Sequence, residues 1–301
     1  MTRKFARDLL ALLDADIEYL SDKPEETAES TLAALWLTVA KRPTSAAGAA
    51  EQPLPALDRQ QQARLRKLVK QRIAGTPLAH ITGRQQFMGV ELLTTNQALI
   101  PRKETEILGR AALRLLGDIE RTIERPRIMD ICTGAGNLAV IMALHSPAGR
   151  IYASDLSEDA VSLAEKNAAL HEVADRVEVR AGDLFAAFDE QKFWGSMDLV
   201  TCNPPYISSA RVEGMVEEIS GHEPTLAFDG GAFGIKILHR LIKEAPSFMK
   251  NNGWLAFEVG LGQGEAMIKR MKKNNMYAEV TPLVDEGGEI RGIIAGNGGV
   301  K

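Results

Sequence analysis

The chain has 301 residues, 45% of them hydrophobic, and a formal net charge of −4. That length supports one large domain or two smaller ones, with a core that needs neither disulfide nor metal. Two cysteines, five scattered histidines and an acidic balance exclude a disulfide scaffold and a clustered metal site, and argue against a protein that wraps nucleic acid.

Met1 leads straight into a mixed charged and apolar run, so no signal peptide is predicted. No apolar stretch reaches the roughly 20 residues that span a membrane. The expectation is a protein of the reducing cytoplasm with no membrane contact.

Residues 3–21 carry Phe5, Leu9, Leu12, Leu13, Ile17 and Leu20 at helical spacing. Asp22 and Pro24 predict the opening of a second helix that runs through Trp36 and Val39. Residues 42–55 are rich in Ala, Pro and Gly without a period and predict a loop. A third helix is expected over 57–74, from Leu57, Leu65, Leu68, Val69 and Ile73. Phe87, Val90, Leu92 and Leu99 around Gly89 predict a β-hairpin within 84–100, ended by Pro101.

From residue 126 strand and helix alternate. Strands are expected at Arg127–Ile131, Arg150–Ser154, Val177–Arg180, Met197–Cys202 and Trp254–Val259, with helices at 158–171, 234–249 and 263–274. Alternation of this kind implies an α/β fold with a parallel sheet covered on both faces. Ala278–Leu283 and Ile290–Ala295 flank Asp285-Glu286-Gly287-Gly288 and predict a terminal hairpin, which brings the sheet to seven strands.

Asp130-Ile131-Cys132-Thr133-Gly134-Ala135-Gly136 ends the first of these strands and opens a helix. Two glycines one apart let a backbone approach a ligand, and a helix N-terminus offers free N–H groups. Asp155 ends the next strand, where an acidic side chain can accept from both hydroxyls of a ribose; the lesser alternative is a cap for the helix at 158. Asp183 and Leu184 follow the third strand, placed to accept from an adenine amino group and to pack on its ring, or simply to make a turn. Three such positions at three successive strand ends point to one crevice. Two ligands suit it, a dinucleotide or S-adenosylmethionine. The full Gly-x-Gly-x-x-Gly fingerprint is absent, with Cys132 and Ala139 in the pattern, although a variant with a final Ala keeps the dinucleotide in view.

Asn203-Pro204-Pro205-Tyr206 follows the fourth strand. Two prolines fix φ and remove two N–H donors, leaving carbonyl acceptors in a rigid turn. The Asn203 oxygen and the Pro204 carbonyl can accept both hydrogens of a planar –NH₂, and Tyr206 offers a ring face. An amide nitrogen is a poor nucleophile, because its lone pair is delocalised. Holding both N–H bonds aims it and favours the charge that develops on it. No metal and no strong base are required. The alternative is a proline-rich turn that only ends a strand.

On these residues the chain resembles the class I methyltransferases that modify the side-chain N5 of protein glutamines, and is most similar to the bacterial peptide chain release factor glutamine methyltransferases. The likeness spans about 72–296. It is carried by Gly75-Thr76-Pro77-Leu78, Ile81-Thr82-Gly83, Phe87 and Gly89, Ile100-Pro101-Arg102, Glu104-Thr105-Glu106, Asn203-Pro204-Pro205-Tyr206-Ile207, Glu223-Pro224, Asp229-Gly230-Gly231, Phe257-Glu258-Val259-Gly260 and Gln263-Gly264. Asn-Pro-Pro-Tyr alone is shared with adenine-N6 DNA methyltransferases; the Glu-Thr-Glu and Asp-Gly-Gly stretches are narrower.

The resemblance implies a helical substrate-recognition domain at 1–80, a linking β-hairpin at 81–104 and a Rossmann-like methyltransferase domain at 105–301. It implies S-adenosyl-L-methionine as cofactor, held by Cys132, Thr133, Gly134, Ala135, Gly136, Asp155, Asp183, Leu184 and Asn203. It implies that Asn203, Pro204, Pro205 and Tyr206 hold the substrate glutamine, with Asn203, Pro204 and Tyr206 catalytic and no metal. The implied partner is a release factor, methylated on its Gly-Gly-Gln glutamine, without direct nucleic-acid binding. Two positions depart from the family. Cys132 stands for the usual first glycine, as in sister enzymes acting on a large-subunit ribosomal protein, and Lys103 stands for a proline. A ribosomal protein or a small amide or amine is the alternative acceptor. An adenine-N6 nucleic-acid methyltransferase and a non-catalytic scaffold are further alternatives.

Overall fold

The computed structural model describes residues 2–19, 23–212, 221–231, 233–273 and 276–298. The chain divides into two compact units. One comprises Met1–Asn96, Ile100–Lys103 and Val216–Glu223; the other comprises Gln97–Leu99, Glu104–Met215 and Pro224–Lys301.

The first unit is helical with one hairpin. Helices α1 (Thr2–Asp16), α2 (Ala28–Val39), α3 (Ala46–Ala50), α4 (Arg59–Ile73) and α5 (Leu78–Thr82) precede strands β1 (Arg84–Phe87) and β2 (Val90–Leu93). Leu9, Leu13, Leu35, Leu37, Leu65 and Val69 form its core, which explains the helical spacing of these residues. α2 starts later than expected. Pro24 lies in a turn, and Thr27 caps the helix in a reciprocal box with Ser30. Asp22 and Leu20 lie outside the described residues. The expected loop at 42–55 contains α3, capped by Ser45, and Trp36 donates to the Pro55 carbonyl at 2.8 Å. The hairpin is shorter than expected and excludes Leu99; its two turn residues, Met88 and Gly89, both have positive φ. Arg102 donates to Glu223 Oε1 at 2.5 Å, and Ile100 N–H donates to its Oε2 at 2.8 Å. Two family stretches distant in sequence are thereby joined by one buried carboxylate.

The second unit opens with α6 (Thr105–Glu120), a helix the sequence reading passes over. Then follow β3 (Arg127–Ile131), α7 (Asn137–His145), β4 (Arg150–Asp155), α8 (Glu158–Leu170), β5 (Val177–Ala181), β6 (Met197–Cys202), a one-turn helix α9 (Ser209–Val212), α10 (Lys236–Phe248), β7 (Met249–Glu258), α11 (Gly264–Lys273), β8 (Tyr277–Val284) and β9 (Ile290–Asn297). The seven strands run in the order β5-β4-β3-β6-β7-β9-β8. β3 to β7 pair in parallel, and β9 pairs antiparallel with β7 and β8. β7 begins five residues before the expected Trp254, because Met249 already pairs with Met197. Ile128, Met129, Leu199, Val200, Leu255 and Phe257 have no measurable exposure. These are the continuous apolar runs that a doubly covered parallel sheet requires. The chain leaves β5 and returns beside β3 through β6. The loops at the carboxyl ends of β3 and β6 therefore meet at the topological switch point.

Candidate functional site at the carboxyl ends of the strands

The loop after β3 is tightly wound: Cys132, Gly134 and Gly136 all have positive φ, at 57°, 54° and 79°. A Cβ on Gly136 would stand 2.9 Å from the Ala164 Cβ and 3.1 Å from its Cα, so α8 packs directly on the loop. Nothing lies within 4 Å of a Cβ placed on Gly134, which leaves that backbone open to a ligand. Thr133 and Ala135 are 3% and 1% exposed, so neither side chain stands open in the crevice.

Beneath the loop lies Asp130, buried at the end of β3. Thr133 and Thr201 donate to its two oxygens at 2.6 and 2.7 Å. Burial pushes its carboxyl up to about 6, against the pull of those two hydroxyls. It braces the loop to β6.

Asp155 at the end of β4 is not a helix cap; Ser157 takes that role. Gly134 N–H donates to Asp155 Oδ2 at 2.9 Å and Ser157 N–H donates to Oδ1 at 3.0 Å. Desolvation raises its carboxyl above the usual range. One carboxylate thus ties the glycine loop to the next strand and keeps lone pairs for a further donor.

Asp183 is more exposed. Arg240 grips both its oxygens, at 2.9 and 2.8 Å. Leu184 has φ 52°, is 5% exposed and belongs to the core cluster under the sheet ends. Its carbonyl accepts from Ser154 Oγ at 2.9 Å.

Asn203 begins the loop after β6. Its Nδ2 donates to Thr105 Oγ1 at 3.0 Å, which orients the amide. Among the described residues neither Asn203 Oδ1 nor the Pro204 carbonyl accepts a hydrogen bond. Two acceptors therefore stand open side by side in the chain. The loop is held from behind by stretches that the resemblance singled out. Ile207 N–H donates to the Phe228 carbonyl at 3.0 Å and Gly230 N–H donates to the Ile207 carbonyl at 2.8 Å. Gln263 Nε2 donates to the Tyr206 carbonyl at 2.8 Å. A Cβ on Gly234 would stand 2.1 Å from that same carbonyl, so only glycine fits there.

The Tyr206 hydroxyl lies 2.8 Å from Glu258 Oε1 and 3.2 Å from Glu104 Oε1. Glu104 pairs through Oε2 with Arg291. Burial, then repulsion from Glu258 and Glu104, drives the phenol well above its usual range, so it stays protonated. Glu104, Thr105 and Glu258 lie in stretches that the resemblance marks and Asp130 opens the glycine-loop pattern, but none of these residues has a role legible in the sequence, and no local pattern marks Arg240 or Arg291.

The fit to S-adenosylmethionine rests on this donor and acceptor set. An open glycine backbone, a carboxylate at each of two strand ends and an amide oxygen suit a ligand with ribose hydroxyls, an amino group and a positive centre.

Comparison with known proteins bears on the family and the fold. Residues 108–223 match the methyltransferase small domain family, and residues 17–83 match the PrmC N-terminal domain family. The release factor glutamine methyltransferase of Geobacter sulfurreducens is 33% identical over 257 residues, which cover 85% of this chain and 86% of that protein. That of Moorella thermoacetica is 32% identical over 274 residues, covering 91% and 92%. Among solved structures, the N-terminal domain of human METTL16 in complex with SAH matches with a TM-score of 0.53 at 18% identity. It covers 76% of this chain and 83% of that one, and shows the fold. No helix among the described residues is long and apolar enough to cross a membrane.

Proposed function

Since the chain belongs to the release factor glutamine methyltransferase family, and so is an S-adenosylmethionine-dependent N-methyltransferase, we propose that it methylates the N5 amide nitrogen of a protein glutamine, that of the Gly-Gly-Gln stretch of a peptide chain release factor. The observation that carries this reading is the pair of open acceptors, Asn203 Oδ1 and the Pro204 carbonyl, in a loop braced by three other segments. A primary amide has two N–H bonds to give them.

S-adenosylmethionine, when bound, supplies a methyl group on a positive sulfur. The chain's own residues do the rest. The backbone of Cys132–Gly136 would line the cofactor, Asp155 would accept from its ribose hydroxyls, and Asp183 with Leu184 would hold its adenine. Asn203 and Pro204 take one amide hydrogen each and turn the nitrogen toward the methyl group. Pro205 keeps the turn rigid, and the Tyr206 ring covers the amide plane. Two aligned acceptors favour positive charge on the nitrogen as it reacts, and they cost no reorganisation. The amide proton leaves late, to solvent. Residues 1–80 recognise the protein partner, in keeping with the PrmC N-terminal match.

A second acceptor, a ribosomal protein, is favoured by Cys132 alone, a residue at φ 57° where glycine is the easier choice. Transfer of a labelled methyl separates the two. The expected result is labelling of a release factor and none of the same protein with its Gly-Gly-Gln glutamine replaced. Equal labelling of both, or labelling of a ribosomal protein alone, would refute the assignment.

A further inference from the structure

Tyr206 faces two carboxyl groups with one hydroxyl. Its oxygen lies 2.8 Å from Glu258 Oε1 and 3.2 Å from Glu104 Oε1. A phenol has a single proton to donate. If both glutamates were ionised, one of the two contacts would set lone pair against lone pair. A proton on one carboxyl group lets both contacts be full hydrogen bonds.

The surroundings choose which. Glu104 is paired through its other oxygen with the Arg291 guanidinium. Glu258 has no such partner. It is 2% exposed, and its Oε2 has no hydrogen-bond partner. A buried charge with an unpaired oxygen is far costlier than a neutral acid in the same place. The charged and polar groups that face Glu258 come from every element around it: Glu104, Thr105, Tyr206 and Arg291. Desolvation, then repulsion from Glu104, raises its carboxyl to about 7 against the pull of Tyr206, Thr105 and Arg291.

We propose that Glu258 is a positioning residue for methyl transfer: as the neutral acid it donates to the Tyr206 oxygen, so that Tyr206 in turn donates to Glu104 and its ring is locked over the acceptor amide. This rests on the reading of Tyr206 as the wall of the acceptor site. Glu258 donates to Tyr206 and Tyr206 donates to Glu104, which also accepts from Arg291, so each of these protons has an acceptor. Loss of the Glu258 proton leaves two carboxylates competing for one phenol hydrogen. One contact then opens and the ring is free to tilt.

The test compares wild type with Glu258→Gln and Glu258→Ala from pH 6 to 8.5. A glutamine at 258 keeps a donor and does not titrate. Glu258→Ala is expected to lower kcat by about tenfold or more with little change in cofactor affinity, and Glu258→Gln to recover most of that loss. The ratio of wild-type to Glu258→Gln turnover should fall by about tenfold as pH rises through about 7. A glutamine variant as poor as the alanine variant, or a ratio flat with pH, overturns the proposal.

A substrate-free measurement stands beside it. A carboxyl raised above its unfolded value stabilises the protein below about 4.3, and that contribution is lost as pH rises toward the folded value. The unfolding stability of wild type relative to Glu258→Gln should therefore fall between about pH 4.3 and the folded value of about 7, and level off above it. A difference constant with pH refutes the neutral acid. This readout needs no acceptor. If wild type methylates no side-chain amide, the functional reading fails, and the protonation of Glu258 is still decided by stability alone.

Discussion

Thr105→Val tests the orientation of Asn203 apart from its presence. Thr105 is 1% exposed, and valine has its shape, so the packing of α6 is kept. What is lost is the hydroxyl whose oxygen accepts from Asn203 Nδ2 at 3.0 Å and which also helps hold down the Glu258 carboxyl. A buried donor left without its partner costs about 1–3 kcal/mol, and the half-buried Asn203 puts this site toward the lower end. The asparagine can recover part of that cost by turning its amide, but it then presents Nδ2 where Oδ1 should receive the acceptor N–H. A penalty near 1.4 kcal/mol lowers kcat/KM by about tenfold. Asn203→Ala removes the acceptor altogether and should cost about 10²–10³, the scale for one aligned transition-state hydrogen bond. Thr105→Ser keeps the oxygen and should stay within about threefold of wild type. Initial rates of labelled methyl transfer give the order, and calorimetry checks that all three variants still bind S-adenosylmethionine. Full activity of Thr105→Val, or equal loss in the serine variant, would refute the orienting role, because the effect would then lie in packing.

Gly136→Ala combines a left-handed residue, about 1–2 kcal/mol, with a Cβ 2.9 Å from Ala164, and should lower both unfolding stability and cofactor affinity. Gly134→Ala meets nothing within 4 Å, so denaturant melts should show the smaller loss there. Asp130, raised to about 6, binds a proton in the folded state that the unfolded chain releases at lower pH. Its contribution is lost as pH rises from about 4 to about 6, so Asp130→Asn should gain up to about 3 kcal/mol on wild type across that window in pH-dependent unfolding. Arg240→Ala breaks an exposed pair worth at most about 1 kcal/mol and should leave cofactor affinity within about threefold, whereas Asp183→Ala should weaken it about tenfold by calorimetry. Equal effects of the two would mean that the ion pair, not Asp183 as an acceptor, matters.

Much of the second unit was legible in the residue order. Apolar runs such as Ile128–Ile131 and Leu199–Cys202 are the cores of observed strands, and the alternation with helices announces a parallel sheet. The turn Asp285–Gly288 separates β8 from β9 as expected. The short helices α3 and α5 were not legible, because one turn leaves no period to detect. The start of α2 was misplaced because Pro24 reads as a helix opener, while the reciprocal Thr27–Ser30 cap is the stronger local contact.

Sequence by itself determined which chemistry-bearing residues stand at strand ends: the glycine loop, Asp155, Asp183 and Asn203–Tyr206. That is a matter of near neighbours, since a strand and the residue after it share one local pattern. Tertiary structure alone decided what those residues touch. Thr105 reaches Asn203 from 98 positions away, Glu258 reaches Tyr206 from 52, and Arg291 reaches Glu104 from 187. No periodicity links such positions. They converge because β7 pairs with β6, the strand that Asn203 follows, and β9 pairs with β7, which brings Glu258 to the phenol and Arg291 to Glu104. The same holds for the proton assigned to Glu258, since burial and a neighbouring charge set it, and neither exists until the sheet is assembled.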